Sequence, residues 1–135
     1  PSRFIVHVSA DNRYKLYVNG KLVSLGPARG DIYNWSFETV DLAPYLKKGK
    51  NTLASVVWNY AERKPVAQIS YDQTGFILQG NTGHEAVVNT DTTWVCLRNK
   101  AYAPWTEWQV LGYYVAGPGE ELEASAYPWG WEQPD

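Results

Sequence analysis

The residues best placed to do chemistry are Asp11 and Asn12, which end one apolar strand pattern and precede the run Arg13-Tyr-Lys-Leu-Tyr-Val-Asn-Gly20. A carboxylate next to a carboxamide concentrates side-chain oxygen at a strand end, where β-proteins commonly place their binding groups. The same pair also reads as a turn, because Asx side chains accept hydrogen bonds from nearby backbone amides. Other reactive candidates are few. Glu120, Glu121 and Glu123 are acidic neighbours, and glycoside hydrolysis needs two carboxylates on opposite sides of a sugar; a solvated strand face accounts for them more simply. Cys96 is the only cysteine, so an internal disulfide is excluded, and between Val95 and Leu97 it reads as an inert buried filler. His7 falls in a strand pattern and reads as a hydrogen-bonded structural residue. His84 follows Gly83 in a loop, with no second ligand at metal spacing. Gly117-Pro-Gly119 is a turn and not a phosphate loop, since no helix and no Lys-Ser/Thr follow it.

The elements that would carry these residues are strands. Phe4, Val6 and Val8 alternate with Ile5, His7 and Ser9, and Tyr14, Leu16 and Val18 alternate with Lys15, Tyr17 and Asn19. Asn19-Gly20 predicts a type I′ hairpin, whose two central positions need positive φ, returning into a strand over 21–25 that Gly26-Pro27 ends. A further strand is predicted over 35–40. Asp41-Leu-Ala-Pro-Tyr-Leu46 predicts one helical turn, with Asp41 capping, Leu42 and Leu46 anchoring and Gly49 stopping it. Residues 52–58 suit a buried central strand, and more strands are predicted at 66–72, 75–79, 94–98, 108–115 and 121–126. No ten-residue segment has a helical period. Many short strands between turns imply an all-β sandwich or barrel. The tail, 127–135, has no period and is expected to pack through its aromatic rings.

With 135 residues the chain is one domain's worth, enough to bury a core. The net charge of -2 and scattered basic residues argue against nucleic acid or anionic membrane as partner. Lys47, Lys48 and Lys50 form the one basic cluster and read as a solvated loop. No apolar run approaches the ~18 residues of a membrane-spanning helix. The chain has no methionine and no visible leader, so it reads as a module excised from a larger protein. Aromatic residues make up 15% of it, which suits either strand packing or the stacking of sugar C–H faces on flat rings.

Val18-Asn-Gly-Lys21, the 41–46 turn and Gly49-Lys-Asn-Thr-Leu-Ala54 occur in fixed order, a pattern that resembles the jelly-roll, galactose-binding-like accessory domain of many glycoside hydrolases. Ser9–Gly20, Leu25-Gly-Pro-Ala-Arg29, Trp35, Ala116–Ser125 and Gly130-Trp-Glu-Gln-Pro-Asp135 narrow it. Together they resemble the N-terminal module of the bacterial α-L-rhamnosidases, glycoside hydrolase family 78. The resemblance implies a non-catalytic β-sandwich whose parent hydrolyses terminal α-L-rhamnose in a separate (α/α)6 barrel. It implies partners among rhamnose-containing glycans and the parent's other domains, and a bacterial parent that is periplasmic, secreted or cytoplasmic. Some such modules hold rhamnose through calcium, with an Asp-Asn pair and carbonyls of a second loop. Asp11 and Asn12 match the pair, and Asn59 and Pro65 of the 59–65 loop are the matching positions for the metal. Sugar contacts are then expected from Asp11, Asn12 and Arg29, with Tyr33 and Tyr60 stacking; Arg29 is also a candidate to pair with Asp31. Trp35 is a further platform candidate, and Trp58 reads as core. The alternative is a structural module between domains that binds no sugar.

Overall fold

Strand β1 (Ile5–Asp11) alternates as its sequence dictates, with Val6, Val8 and Ala10 buried and Ile5 and His7 half-buried on the other face. The computed structural model describes residues 1–71, 73–105 and 119–134. β1 is the centre of a three-stranded antiparallel sheet, flanked by β4 (Glu38–Asp41) and β6 (Gly75–Gly80). At Asn12 the chain turns into β2 (Arg13–Val18), the centre of a second antiparallel sheet between β3 (Lys21–Gly26) and β5 (Leu53–Trp58). The inner faces of the two sheets share one core: Val6 and Val8 from β1, Tyr14, Leu16 and Val18 from β2, Leu78 from β6, with Phe4 and Leu42. Fully burying each aliphatic side chain stabilises by about 1.5–3 kcal/mol, so this shared core is the main force holding the sheets together.

Local chemistry sets the connections. Asn19 (φ 52°) and Gly20 (φ 78°) are both left-handed, as the hairpin between β2 and β3 requires. The Asn19 amide also bonds Tyr45 O and Asn51 Oδ1, and its oxygen accepts from Thr52 N, so one residue joins the hairpin to the neighbouring crossing. The turn after β4 is a 3-10 turn, Ala43–Tyr45, with Pro44 in its first positions and Leu42 fully buried. Asp41 Oδ1 accepts from Ala43 N at 3.0 Å and Phe4 N at 2.9 Å. These backbone amides, Phe4 first, hold the Asp41 carboxyl below the usual aspartate range. Lys47, Lys48 and Lys50 are exposed, as expected.

The fold is all-β with short 3-10 turns, and several elements differ from expectation. Residues 66–71 form a turn and irregular loop, because Ser70 and Tyr71 direct their donors to a side chain instead of a strand ladder. Residues 94–98 are irregular and exposed apart from half-buried Trp94, and Cys96 is exposed, not a buried filler. The strand expected at 108–115 lies outside the described residues. β5 lies at the edge of its sheet, since β2 takes the centre. Trp58, opposite Arg13, is half-buried outside the core cluster, with Lys15 Nζ at 5.8 Å from its ring centroid. A separate two-stranded ribbon, β7 (Tyr102–Trp105) with β8 (Gly119–Leu122), replaces the strand expected at 121–126, and a 3-10 turn covers 124–126. The tail packs by its rings: Trp131 against Tyr17 and Trp129 against Tyr127.

Candidate functional site

The corner where β1 passes into β2 gathers a buried, hydrogen-bonded polar cluster. Asp11, paired with Gly75 of β6, and Arg13, paired with Trp58 of β5, belong to different sheets, so Asn12 bridges them and is only 1% exposed. The Asp11–Asn12 peptide is cis. Asn12 N donates to Trp58 O at 3.0 Å, and Asn12 Oδ1 accepts from Tyr60 N at 2.8 Å. Asp11 Oδ1 accepts from the Asn12 amide, from Asn59 Nδ2 at 3.0 Å and from Ser70 Oγ at 2.7 Å. Asp11 Oδ2 accepts from Tyr71 N at 2.7 Å. One buried carboxylate thus ties together the corner, the loop after β5 and the loop before β6. A buried carboxylate has to be met by donors in this way, because unpaired burial of its charge is costly.

Beside this cluster lies an open groove of about 580 Å³, lined by Ser9, Ala10 and Asp11 of β1, by Gln73 to Ile77, and by Trp35 and Tyr71. The Trp35 and Tyr71 rings are tilted by 36° with centroids 5.3 Å apart. Both are held from behind. Tyr71 is fixed through its peptide N–H on Asp11 and through its hydroxyl, which donates to Ile32 O. The loop carrying Trp35 is tied to β1 by Ser9 Oγ donating to Ser36 O at 2.7 Å. Gly30 is required in that loop, because a Cβ there would meet Asn34 O at 2.3 Å. Phe76 continues the apolar wall inward and packs on Tyr14 and Trp94. Behind Trp35, a crevice of about 10 Å³ lined by Asn12, Arg29 and Gln68 is the size that one water molecule needs.

The positions picked from the sequence meet only in part. Asp11, Asn12 and Asn59 converge, and Tyr60 joins them through its backbone amide. Arg29 is exposed and borders the small crevice, not the groove. Asp31 accepts from Tyr33 N and from the Asn34 amide, which hold its carboxyl below the usual range, Asn34 most strongly. Tyr33 is 88% exposed, and neither Tyr33 nor Tyr60 lines the groove. Trp35 does, as one reading of the sequence had it. Tyr71 was missed because its segment was read as strand; the signal was an aromatic residue in a polar loop following Asn59.

Calcium, which the resemblance implies, takes about six to eight oxygen lone pairs. Among the described residues Asp11 is the carboxylate at the corner, and both of its oxygens face N–H or O–H donors. Asn12 Oδ1 is taken by Tyr60 N, Asn59 Oδ1 by Ala61 N at 2.7 Å, and Pro65 O by Gln68 N at 2.8 Å. Asp11 Oδ1 thus takes three donors, while Asp11 Oδ2, Asn12 Oδ1, Asn59 Oδ1 and Pro65 O take one each. As folded, the Asp11 carboxylate is engaged by four protein donors, so it serves the corner's own hydrogen bonds first. Among the described residues no three His, Cys, Asp or Glu side chains gather into another metal set.

Comparison with protein-family models, curated proteins and solved structures finds no match to this chain.

Proposed function

We propose that this chain is a non-catalytic, saccharide-holding accessory module of an α-L-rhamnosidase-type glycoside hydrolase, built as a jelly-roll, galactose-binding-like β-sandwich. The observation that carries the reading is the Trp35–Tyr71 pair, set over an open groove at a strand end and braced by a polar corner. Flat rings accept the C–H face of a sugar, while Gln73 and Thr74 at the groove edge offer an amide and a hydroxyl to its hydroxyls. The motif order from Ser9 to Ala54 and from Ala116 to Asp135 supports the family assignment. The module hydrolyses nothing. Weak capture of a terminal rhamnose raises the local concentration of glycan near the parent's active site.

The test is calorimetry with L-rhamnose and with a rhamnose-terminated disaccharide. The expected Kd is about 0.1–1 mM, roughly -4 to -5.5 kcal/mol. Trp35→Ala should abolish the heat, and an aryl rhamnoside should show no turnover. A second reading, a structural module between domains, draws support from the exposed Tyr102, Trp105, Leu122 and Trp129 on the ribbon and tail. It predicts no heat with either sugar and an unchanged result for Trp35→Ala.

A further inference from the structure

We propose that Asp11 is a positioning residue for the groove and not a ligand: its carboxylate fixes Tyr71 against Trp35, and the groove takes the apolar face of an uncharged saccharide without a divalent cation. The ligand half of this inference rests on the saccharide reading above; the positioning half stands on geometry alone. Asp11 Oδ2 accepts from Tyr71 N, and Oδ1 from Asn12, Asn59 and Ser70, so the carboxylate braces the aromatic wall with three donors on one oxygen and one on the other. Tyr71 is itself 59% exposed, so its ring reaches solvent while its backbone is anchored in the corner. Its hydroxyl reaches the Trp35 loop at Ile32 O. A chain of bonds therefore runs from the Asp11 carboxylate through Tyr71 to the loop that presents Trp35. Among the described lining residues Asp11 is the only charged one, and its oxygens already serve internal donors. Besides Asp11, the described lining offers a ligand ring, aliphatic side chain, amide and hydroxyl, a surface suited to a neutral sugar face.

The experiment uses the whole chain and three readouts. Terbium(III), a luminescent stand-in for calcium, is titrated first, because Trp35 and Tyr71 lie close enough to the corner to sensitise a bound ion. No saturable sensitised emission is expected. Stoichiometric emission that calcium displaces and Asp11→Asn removes would overturn the proposal. Near-ultraviolet circular dichroism then follows the Trp35–Tyr71 pair in a double-mutant cycle of Asp11→Asn and Trp35→Phe. Asp11→Asn keeps one acceptor oxygen and is chosen so that far-ultraviolet dichroism can confirm the fold. Its near-ultraviolet loss should overlap that of Trp35→Phe, so that the double variant loses little more than either single one. Additive losses, or no loss in Asp11→Asn, would contradict positioning. Finally, L-rhamnose binding is compared in EDTA and in calcium, with an expected change in Kd below about twofold. A tenfold or larger weakening in EDTA refutes the cation-free half. Absence of heat in both buffers sinks the saccharide reading and with it the ligand half, while the terbium and dichroism results still decide the role of Asp11.

Discussion

At the β1–β2 corner a buried carboxylate meets four donors and holds a tyrosine against a tryptophan. On the β7–β8 ribbon, Glu120 and Glu121 lie opposite Pro104 and Ala103, between the Tyr102–Leu122 and Trp105–Gly119 pairs, and every position of both strands is exposed. The two regions use the same residue types, aromatic rings beside carboxylates, yet only the corner is preorganised. Burial there forces each polar atom to find a partner, and the partners fix the rings. On the ribbon Glu120 and Glu121 are exposed, and among the described residues the Tyr102 ring is held by its edge-on contact with Tyr127. Composition is therefore a poor guide to the site; what separates a groove from a decorated surface is what lies behind the rings.

Substitutions can break that contrast at several strengths. Asp11→Ala leaves the donors of Asn12, Asn59, Ser70 and Tyr71 without their shared acceptor, and should cost about 3 kcal/mol or more in denaturant unfolding. Asn19→Ala strips the bonds to Tyr45, Asn51 and Thr52 and puts a Cβ-bearing residue without Asn's tolerance at φ 52°, for about 2 kcal/mol by the same measurement. Gly30→Ala, whose Cβ would collide with Asn34 O, should shift the Trp35 loop and weaken L-rhamnose binding about tenfold, near 1.4 kcal/mol. Asp41, whose folded carboxyl is held low by Phe4 N and Ala43 N, contributes stability that is complete above the ordinary aspartate pKa of about 4 and is lost as pH falls through the depressed value. Acid unfolding followed by fluorescence should be less steep in Asp41→Asn than in the wild type. Tyr102→Ala, on the ribbon, should change stability by less than about 0.5 kcal/mol and leave rhamnose binding unaltered.

Much of the frame is legible in the residues themselves. The alternation of Val6 and Val8, and of Tyr14, Leu16 and Val18, names the buried face of both central strands, because a period of two admits one inward set. Asn19-Gly20 specifies its turn, and Asp41 with Pro44 specifies the 3-10 crossing, since each acts over a few neighbouring residues. The rest depends on distant partners. Residues 66–72 have strand-like composition, yet the Ser70 and Tyr71 donors are claimed by Asp11, some sixty positions away. Trp58 has the right type for a core but the wrong parity, lying opposite Arg13 and half-buried outside the core cluster. Cys96 has apolar neighbours that are themselves exposed, Val95 by 95%. Asp11 and Asn12 were legible as a polar strand end; that their oxygens turn inward to protein donors was not, because the loops supplying those donors have no local signature.

The most direct measurement is a two-dimensional ¹H–¹⁵N NMR titration of the chain with L-rhamnose in the presence of EDTA. Saturable shifts of the Trp35 indole N–H and the Tyr71 backbone N–H, with Tyr102 and Trp129 unmoved, are the predicted result. Shifts confined to the ribbon and tail, or none at all until calcium is added, would contradict it.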